Sequence, residues 1–306
     1  MSVQSPSTMS TVLAAFDEHL RRVRGVCPEV RHNYSRYVRQ FLESAFVDDR
    51  VDLERLRAAD VVGFVSAAST RFQPATTQLL TTALRSFLRF ARVEGLRGDR
   101  LDEAVPRVPR RRLTSLPRHL DSADFARLID SLDASSPQGL RDRAMLLCVA
   151  RLGMRSTEVA QLRLDDVDWR VGTVRVRTRK TGRGALLPLS HEVGEAIADY
   201  LRRGRPTSEV REVFILHRQR VGAPINRQVV GDAVRRALRH AQMNAPIQGG
   251  NLLRHSLATD LVNHGASLKE IADLFGHRAL ASTQIYAKVD VTSLREVALP
   301  WPKVSR

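Results

Sequence analysis

Apolar residues recur every three or four positions along the first third of the chain, which is the spacing of amphipathic α-helices. The first stripe begins after a Ser or Thr cap and carries Leu13, Phe16 and Leu20. Three further stripes of the same period follow it. Residues 10–95 are therefore predicted to form a domain of four helices that ends at Gly95.

The next segment, residues 96–113, breaks this pattern with prolines, which exclude both a helix and a central strand. Arginines crowd the same segment, and we interpret it as a basic interdomain linker. Such a run is usually a solvated surface, and contact with a DNA backbone is weighed evenly against that alternative. The prolines are Pro106, Pro109 and, just beyond, Pro117, and the arginines are Arg107, Arg110, Arg111 and Arg112.

From residue 114 onward the pattern is again mostly helical, but one segment changes to a period of two. The residues GTVRVRTRKTGRGALLPLS alternate around a Thr-Gly turn, which predicts a β-hairpin. The fold class is therefore mainly α-helical with a small antiparallel β-sheet. The predicted helices span 120–132, 139–153, a stretch that begins at 154, then 192–201, 226–242, 251–264, 267–275 and 282–287.

The chain is strongly basic, and this points to a polyanionic partner. Its 306 residues carry 49 Lys and Arg against 33 Asp and Glu, a formal charge of +16. Nucleic acid is the first candidate, because every phosphate that the protein neutralises releases counterions. The alternative is that a preference for arginine over lysine partly reflects genomic base composition.

Two cysteines, Cys27 and Cys148, exclude a disulfide framework or a cysteine-based zinc module and suit a reducing cytoplasm. The first residues, MSVQSPSTMS, lack the basic and apolar regions of a signal peptide. No apolar run is long enough to span a bilayer. A cytoplasmic protein is expected.

The hairpin is unusually basic. Arg175, Arg177 and Arg179 share one face of the first strand, and the turn adds Lys180 and Arg183. Such a hairpin can lie against a phosphate backbone, or it can be an edge strand that positive charge protects from aggregation. A lysine among arginines also suggests proton transfer, because lysine releases its proton more readily.

Three other places combine residues that suit an anion. Arg155 begins a helix with Glu158 three residues on, which favours an anion or forms a surface salt bridge. His277 follows a glycine, and Tyr286 comes nine residues later, where it serves chemistry or simple packing. Asn251, Arg254 and His255 share one helical face among residues that look buried, and a buried Arg-His pair needs a reason.

In order along a basic two-domain chain, Arg155, Lys180, Arg254, His277 and Tyr286 resemble the tyrosine recombinase (phage integrase) family. The motifs are GMRSTEVAQL, RKTGRGALLPL, LLRHSLATDLVNHG and LFGHRALASTQIY. The resemblance covers nearly the whole chain. It implies a helical, SAM-like core-binding domain that clamps DNA over 10–95, a linker over 96–113, and an α+β catalytic domain with a C-terminal tail over 114–306.

The resemblance also implies DNA strand exchange through a 3′-phosphotyrosyl intermediate, with no ATP, metal or other cofactor. Tyr286 is the expected nucleophile, and Arg155 and Arg254 are expected to grip the nonbridging phosphate oxygens. His277 is expected to donate a further hydrogen bond. Lys180 is expected to protonate the leaving 5′-oxygen.

One position departs from the family pattern H-x-x-R, because Asn251 stands in the place of the usual histidine. Asparagine can donate a hydrogen bond to a phosphate oxygen but has no pKa with which to accept the proton of Tyr286. His255 looks like a substitute base, although we expect it to bond a backbone group within its helix. Glu158 is expected to orient its helix, and Asp142 to pair with nearby basic groups.

The expected partner is double-stranded DNA, bound by a tetramer on two sites or by a hetero-oligomer with related recombinases. The expected function is an active recombinase, whether integrase, mobile-element transposase or chromosome-dimer resolvase. A DNA-binding accessory protein with weak or absent catalysis is the alternative, and Asn251 favours it. The arginines expected to bind DNA are Arg175, Arg177, Arg179, Arg183, Arg110, Arg111 and Arg112.

Overall fold

The structure, a computed structural model, describes most of the chain in two units. Each unit, residues 1–111 and residues 112–306, has its own apolar core. The predicted helix at 282–287 lies outside the described residues except at two positions, and the tail beyond it lies outside them entirely. The described residues are 7–109, 119–177, 184–244, 249–276, Thr283 and Tyr286.

The four helices predicted for the first unit are confirmed. The side chain of Thr8 accepts a hydrogen bond from the Thr11 amide and so caps the first helix, while Pro28 and Pro74 begin two others at positions where no amide donor is needed. A two-stranded antiparallel sheet pairs Thr8 with Arg50. The elements are β1 Ser7–Thr8, α1 Met9–Arg22, α2 Pro28–Ala45, β2 Arg50–Val51, α3 Ala58–Arg71 and α4 Pro74–Val93.

Aromatic side chains from α1 and α4 fill the centre of this unit. Phe16 meets Phe87 edge to face, with ring centroids 5.4 Å apart, and Phe90 lies 5.5 Å from Phe16. All three are buried. Each fully buried phenylalanine contributes roughly 1.5–3 kcal/mol, so the helical stripe of the sequence is what holds the unit together.

The second unit is built around one central helix. That helix, α6, is apolar around most of its circumference and almost wholly buried, as expected of a helix covered on all sides. The remaining helices and a small sheet surround it. The helices are α5 Ser122–Asp130, α6 Pro137–Leu152, α7 Ser156–Ala160, α8 His191–Asp199, α9 Arg227–His240, α10 Gly250–Asn263 and α11 Leu268–Phe275.

The predicted hairpin is confirmed as part of a three-stranded antiparallel sheet. Its strands are β4 Thr173–Val176 and β5 Ala185–Pro188, and β3 Val167–Asp168 adds a strand beside β4. Val174 faces Leu187 across the ladder, and both are buried. The turn of the hairpin, residues 178–183, lies outside the described residues.

Two helix predictions need correction. The helix expected from residue 154 ends after five residues, at Ala160, because the backbone turns away to other partners. The Leu162 carbonyl accepts from the Val213 amide, and the Leu164 amide donates to the Arg211 carbonyl, each at 2.8 Å. The helix expected over 192–201 ends at Asp199 and continues as a π-helical turn, Tyr200–Gly204. No helix among the described residues is long and apolar enough to cross a membrane.

Candidate active site

The site is organised around Phe275, the last residue of α11. Its ring packs against Gly153, which ends α6 with a φ of 63° in the left-handed region. A side-chain carbon added to Gly153 would lie 2.6 Å from the Phe275 ring. The turn therefore requires glycine both for its backbone conformation and for the closeness of the ring.

Arg155 follows this turn and caps two helices at once. Glu158 accepts from the Arg155 amide and from its guanidinium, each at 2.8 Å, and so closes the start of α7. The guanidinium also donates to the carbonyl of Phe275 at 2.9 Å and to that of Gly276 at 3.4 Å. These carbonyls at the end of α11 lack partners within the helix, so the arginine satisfies them.

The pair of Arg155 and Glu158 is not the surface salt bridge that was the alternative from sequence. Only 6% of Glu158 is exposed, and all the bonds above converge on one orientation of the guanidinium. A buried carboxylate needs such partners. The expectation that Glu158 orients its helix is confirmed.

The glycine that opens α10 brings the second arginine toward the first. Gly250 is buried against Ser156 in the first turn of α7, and an added side-chain carbon there would collide with the Ser156 hydroxyl. The first turns of α7 and α10 are thus in direct contact. Arg254, one turn along α10, has 7% of its surface exposed, and its guanidinium carbon lies 4.3 Å from the centre of the Phe275 ring.

Tyr286 completes the group. It is buried, with 3% exposed, in an apolar cluster with Phe275, Ala258 and Ile271. Its hydroxyl lies 2.6 Å from Nδ1 of His255. The expectation that His255 bonds a backbone group within its own helix is therefore wrong, because the imidazole faces the tyrosine.

Burial changes the proton affinities of both residues. It raises the pKa of Tyr286 to about 12, although the positive charge of Arg254 opposes the shift. Burial, and then the charge of Arg254, lower the pKa of His255. At neutral pH the pair therefore consists of a protonated phenol and a neutral imidazole.

The remaining predicted site residues divide into two groups. Asn251 is exposed in the first turn of α10, and Arg175 is exposed on β4. Arg177 follows β4 and donates to the buried carboxylate of Asp166 at 2.6 Å, which anchors this end of the hairpin. The second group, two predicted catalytic residues and five predicted DNA-binding arginines, lies outside the described residues: Lys180, His277, Arg179, Arg183, Arg110, Arg111 and Arg112.

Asp142 has the structural role expected of it. It is buried on α6 and accepts from Arg141 at 3.0 Å and from Arg236 of α9. Within the described ranges, no three His, Cys, Asp or Glu side chains cluster in a way that could hold a metal ion.

A basic cleft in the first unit was not predicted. Arg85 of α4 donates to the carbonyls of Val105 and Pro106, and burial, followed by the charges of Arg107 and Arg89, lowers its pKa. The helical spacing of the arginines in the predicted helix was a signal that could have revealed it. The arginines that line the cleft are Arg85, Arg89, Arg92, Arg100 and Arg107.

Sequence comparisons identify the family of the chain. Residues 118–292 match the phage integrase family, and residues 13–95 match its N-terminal SAM-like domain. A Sinorhizobium fredii protein, provisionally named integrase/recombinase y4rA, is 44% identical over 298 residues, which cover 97% of this chain and 72% of that protein. Tyrosine recombinase XerD of Mycobacterium tuberculosis is 31% identical over 310 residues, covering 95% and 96% respectively.

Solved structures share the fold. The XerH recombinase bound to palindromic difH substrate has a TM-score of 0.71 at 19% identity, covering 93% of this chain and 83% of that one. A lambda integrase dimer bound to a COC′ core site has a TM-score of 0.69 at 17% identity, covering 98% and 100%. The chain belongs to the phage integrase family of tyrosine recombinases, and the expected family and fold class are confirmed.

Proposed function

We propose that this protein is a site-specific recombinase that breaks and rejoins DNA strands with Tyr286 as its nucleophile. One observation carries the proposal: Arg155, Arg254 and Tyr286 all meet Phe275, since Arg155 donates to its carbonyl, Arg254 lies over its ring and Tyr286 packs in the same apolar cluster. A nucleophile beside two guanidinium groups suits attack on a phosphodiester.

The chemistry balances without an external energy source. Tyr286 Oη forms a bond to phosphorus while the bond from phosphorus to the 5′-oxygen breaks, which leaves a 3′-phosphotyrosyl ester and a 5′-hydroxyl. Attack by a 5′-hydroxyl of another strand reverses these changes and releases Tyr286. Because the ester conserves the bond energy, rejoining needs no nucleotide.

Each charged residue has a proposed role in that transition state. Arg155 and Arg254 present planar forks to the nonbridging oxygens, which gain negative charge as the fifth bond forms. Lys180 protonates the leaving 5′-oxygen, and His277 donates a further hydrogen bond to the phosphate. Asn251 donates a hydrogen bond from the position where the family usually has histidine.

DNA contact is proposed for both units. Residues 10–95 clamp the duplex, residues 96–113 form a basic linker whose first part also packs on α4, and residues 114–306 carry the chemistry. The exposed basic face of the hairpin and the arginine cleft of the first unit supply phosphate contacts. The hairpin and linker arginines proposed for this role are Arg175, Arg177, Arg179, Arg183, Arg110, Arg111 and Arg112.

We further propose a tetramer on two DNA sites, alone or with related recombinases, in the service of a mobile element or phage. Supporting it are a lambda integrase tetramer bound to a Holliday junction, with a TM-score of 0.64, and a Tn1549 transposon integrase bound to a circular intermediate DNA, with a TM-score of 0.72. The name of the Sinorhizobium relative also describes an integrase.

Trapping of a covalent adduct tests the function. The DNA is the duplex that the protein enriches from a random-sequence pool, synthesised as a series in which a nick moves through the central bases. A nick beside the scissile phosphate lets the cleaved fragment diffuse away, so that the ester accumulates. We expect a protein-DNA adduct with the wild type and none with Tyr286→Phe.

Tyr200→Phe is the matched control, because Tyr200 is also buried in the second unit and also bonds a histidine. It should still form the adduct. The second candidate, a DNA-binding accessory protein, is favoured by the exposed Asn251 in place of the usual histidine. Failure of the wild type to form an adduct on any nicked duplex that it binds would establish the accessory role instead.

A further inference from the structure

The Tyr286 pair, which consists of Tyr286 and His255, has the geometry of a nucleophile beside its base. Oη and Nδ1 are 2.6 Å apart, and the ring centroids lie 5.6 Å apart at an interplanar angle of 53°. A proton can pass directly between atoms at this distance. The contact joins the hydroxyl that would attack to an imidazole nitrogen that can receive its proton.

A proton acceptor is needed here because the phenol holds its proton firmly. Burial raises the pKa of Tyr286 to about 12, so spontaneous ionisation at neutral pH is rarer than for a free tyrosine. The side chain of Asn251 cannot act as a base, since an amide has no pKa in the relevant range. His255 is the ionisable side chain in hydrogen-bond contact with Tyr286 among the described residues.

The surroundings keep His255 in the form that accepts protons. Burial and the charge of Arg254 lower its pKa, so the imidazole is neutral at pH 7. The ionisable side chains of the helices that pack on α10 are bonded elsewhere or exposed, apart from the half-buried Arg143 and the buried Cys148, whose thiol pKa burial raises to about 12. The bonded ones are Arg141, Asp142 and Arg236 in one cluster, Arg151 with Glu192, and Asp232 with Arg235, and the exposed ones are Arg227, Arg239, His240, Lys269, Glu270 and Asp273.

Given the proposed function, on which this inference rests, we propose that His255 is the catalytic base of this site and takes the place of the missing histidine at position 251. Nδ1 accepts the phenol proton as Oη bonds to phosphorus, while Nε2 carries the proton of the neutral ring. The 5′-oxygen leaves with a proton from a separate acid of the site. During rejoining, His255 returns its proton to Oη.

A storage role for the same contact makes the opposite prediction. Tyr286 is buried, so the hydroxyl must become accessible to a phosphate before attack. If the hydrogen bond only held the hydroxyl away from DNA, weakening it would speed cleavage. If His255 is the base, its loss slows cleavage and changes the dependence on pH.

The substitution His255→Asn separates these roles. Its amide oxygen takes the place of Nδ1 and accepts a hydrogen bond but cannot take up a proton. The adduct is followed in single turnovers with saturating protein on the nicked duplex, from pH 4.5 to 9.5. We expect cleavage about a hundredfold slower at pH 7. The rate of the variant should continue to rise about tenfold per pH unit up to pH 9.5, whereas the wild-type rate levels off once His255 is neutral.

The matched control is His217→Asn, which likewise removes the imidazole of the Tyr200 pair. This pair consists of Tyr200 and His217, whose polar atoms are 3.2 Å apart. Melting temperatures show how far each variant is destabilised. His217→Asn should retain the wild-type rate and pH profile, because its tyrosine has no proposed part in catalysis.

A wild-type rate and profile in folded His255→Asn overturns the inference, and so does faster cleavage, which would establish the storage role. Failure of the wild type to form any adduct overturns the proposed function instead, so the two failures are distinguishable. If His255→Asn does not fold, His255→Gln replaces it. A wild-type rate that stays constant from pH 7.5 to 4.5 also overturns the inference, because a required base must lose activity when it is protonated.

Discussion

The Tyr200 pair and the Tyr286 pair contain the same residue types, and each lies beside an arginine, yet their geometry differs. In the Tyr200 pair the rings stack at 18° and the hydroxyl also accepts from the Ile215 amide at 3.4 Å. In the Tyr286 pair the rings are tilted and the polar atoms are closer. The first geometry joins two parts of the fold, and the second suits proton transfer.

The two neighbouring arginines are also held differently. Arg141 pairs with Asp142, which supplies a buried negative charge, whereas Arg254 lies over the ring of Phe275. The charge of Arg254 reaches Tyr286, where it opposes the rise in pKa. The comparison teaches that the same Tyr-His pair suits a structural or a reactive role depending on the ring geometry and on how the neighbouring arginine is held.

The largest expected effect is the loss of stability when the carboxylate of Asp142, which pairs with Arg141 near Tyr200, is removed. Asp142→Ala leaves the buried Arg141 and the half-buried Arg236 without their shared partner, and we expect the free energy of unfolding to fall by about 3–5 kcal/mol. Urea denaturation measures this fall. Asp130→Ala, at an exposed position on α5, is the control and should change stability by less than about 0.5 kcal/mol. A loss of the same small size for Asp142→Ala would contradict the structural role.

The second prediction concerns alkaline stability and the Tyr286 pair. The folded state raises the pKa of Tyr286 from 10.0 to about 12, so folding favours the protonated phenol. This contribution is fully present below pH 10 and is lost as pH rises toward 12, by about 2–3 kcal/mol. The difference in unfolding free energy between wild type and Tyr286→Phe should shrink accordingly. A difference that is constant from pH 9 to 12 would contradict it.

The third prediction compares two phenylalanines: Phe275, whose ring lies under Arg254, and Phe214, whose ring stacks on Tyr200. Phe275→Leu should lower stability by about 1–2 kcal/mol and slow adduct formation about tenfold, because Arg254 loses the ring that orients it. Phe214→Leu is the matched control, since Phe214 is fully buried and stacks on Tyr200 at 5.7 Å. It should cost similar stability without slowing the folded protein. If both substitutions slowed adduct formation equally, Phe275 would have no special role in orienting Arg254.

The smallest expected effect sharpens the role of His255. Asn251→His restores the usual family residue, yet with His255 intact we expect the single-turnover rate to change by less than about twofold. In the His255→Asn background the same change should recover most of the lost rate. The cycle of four proteins measures this coupling, and a gain that is equal in both backgrounds would mean that the two positions act independently.

Local pattern was sufficient for most of the fold. The stripe that ends at Leu20 in α1 and the capped α11 follow from the spacing of apolar residues and from Ser267. The early end of α7 was not predictable in this way, because its cause is backbone pairing with Arg211 and Val213, about fifty residues later. The strand β3 was missed because two residues give too short a pattern to recognise.

For the site, the sequence predicted which residues take part but not which of them are in contact. Arg155, Arg254 and Tyr286 were predicted from their order and type, and the structure brings all three to Phe275. The partner of His255 was not predicted, because Tyr286 is 31 residues away and only tertiary packing joins them. Phe275 was recognised only as the apolar end of a helix, since a sequence does not reveal which ring supports which charge.

The close contacts of Gly153 and Gly250 also indicate which positions protein engineering can and cannot change. Gly153 leaves no space between the chain and Phe275, and Gly250 leaves none beside Ser156, so these positions fix the spacing of the two arginines. A library that varies them would mainly sample damaged catalysts. The exposed position at Arg175 has no such restriction. Because the sheet is proposed to contact DNA, new target preferences are best sought there, with both glycines left unchanged.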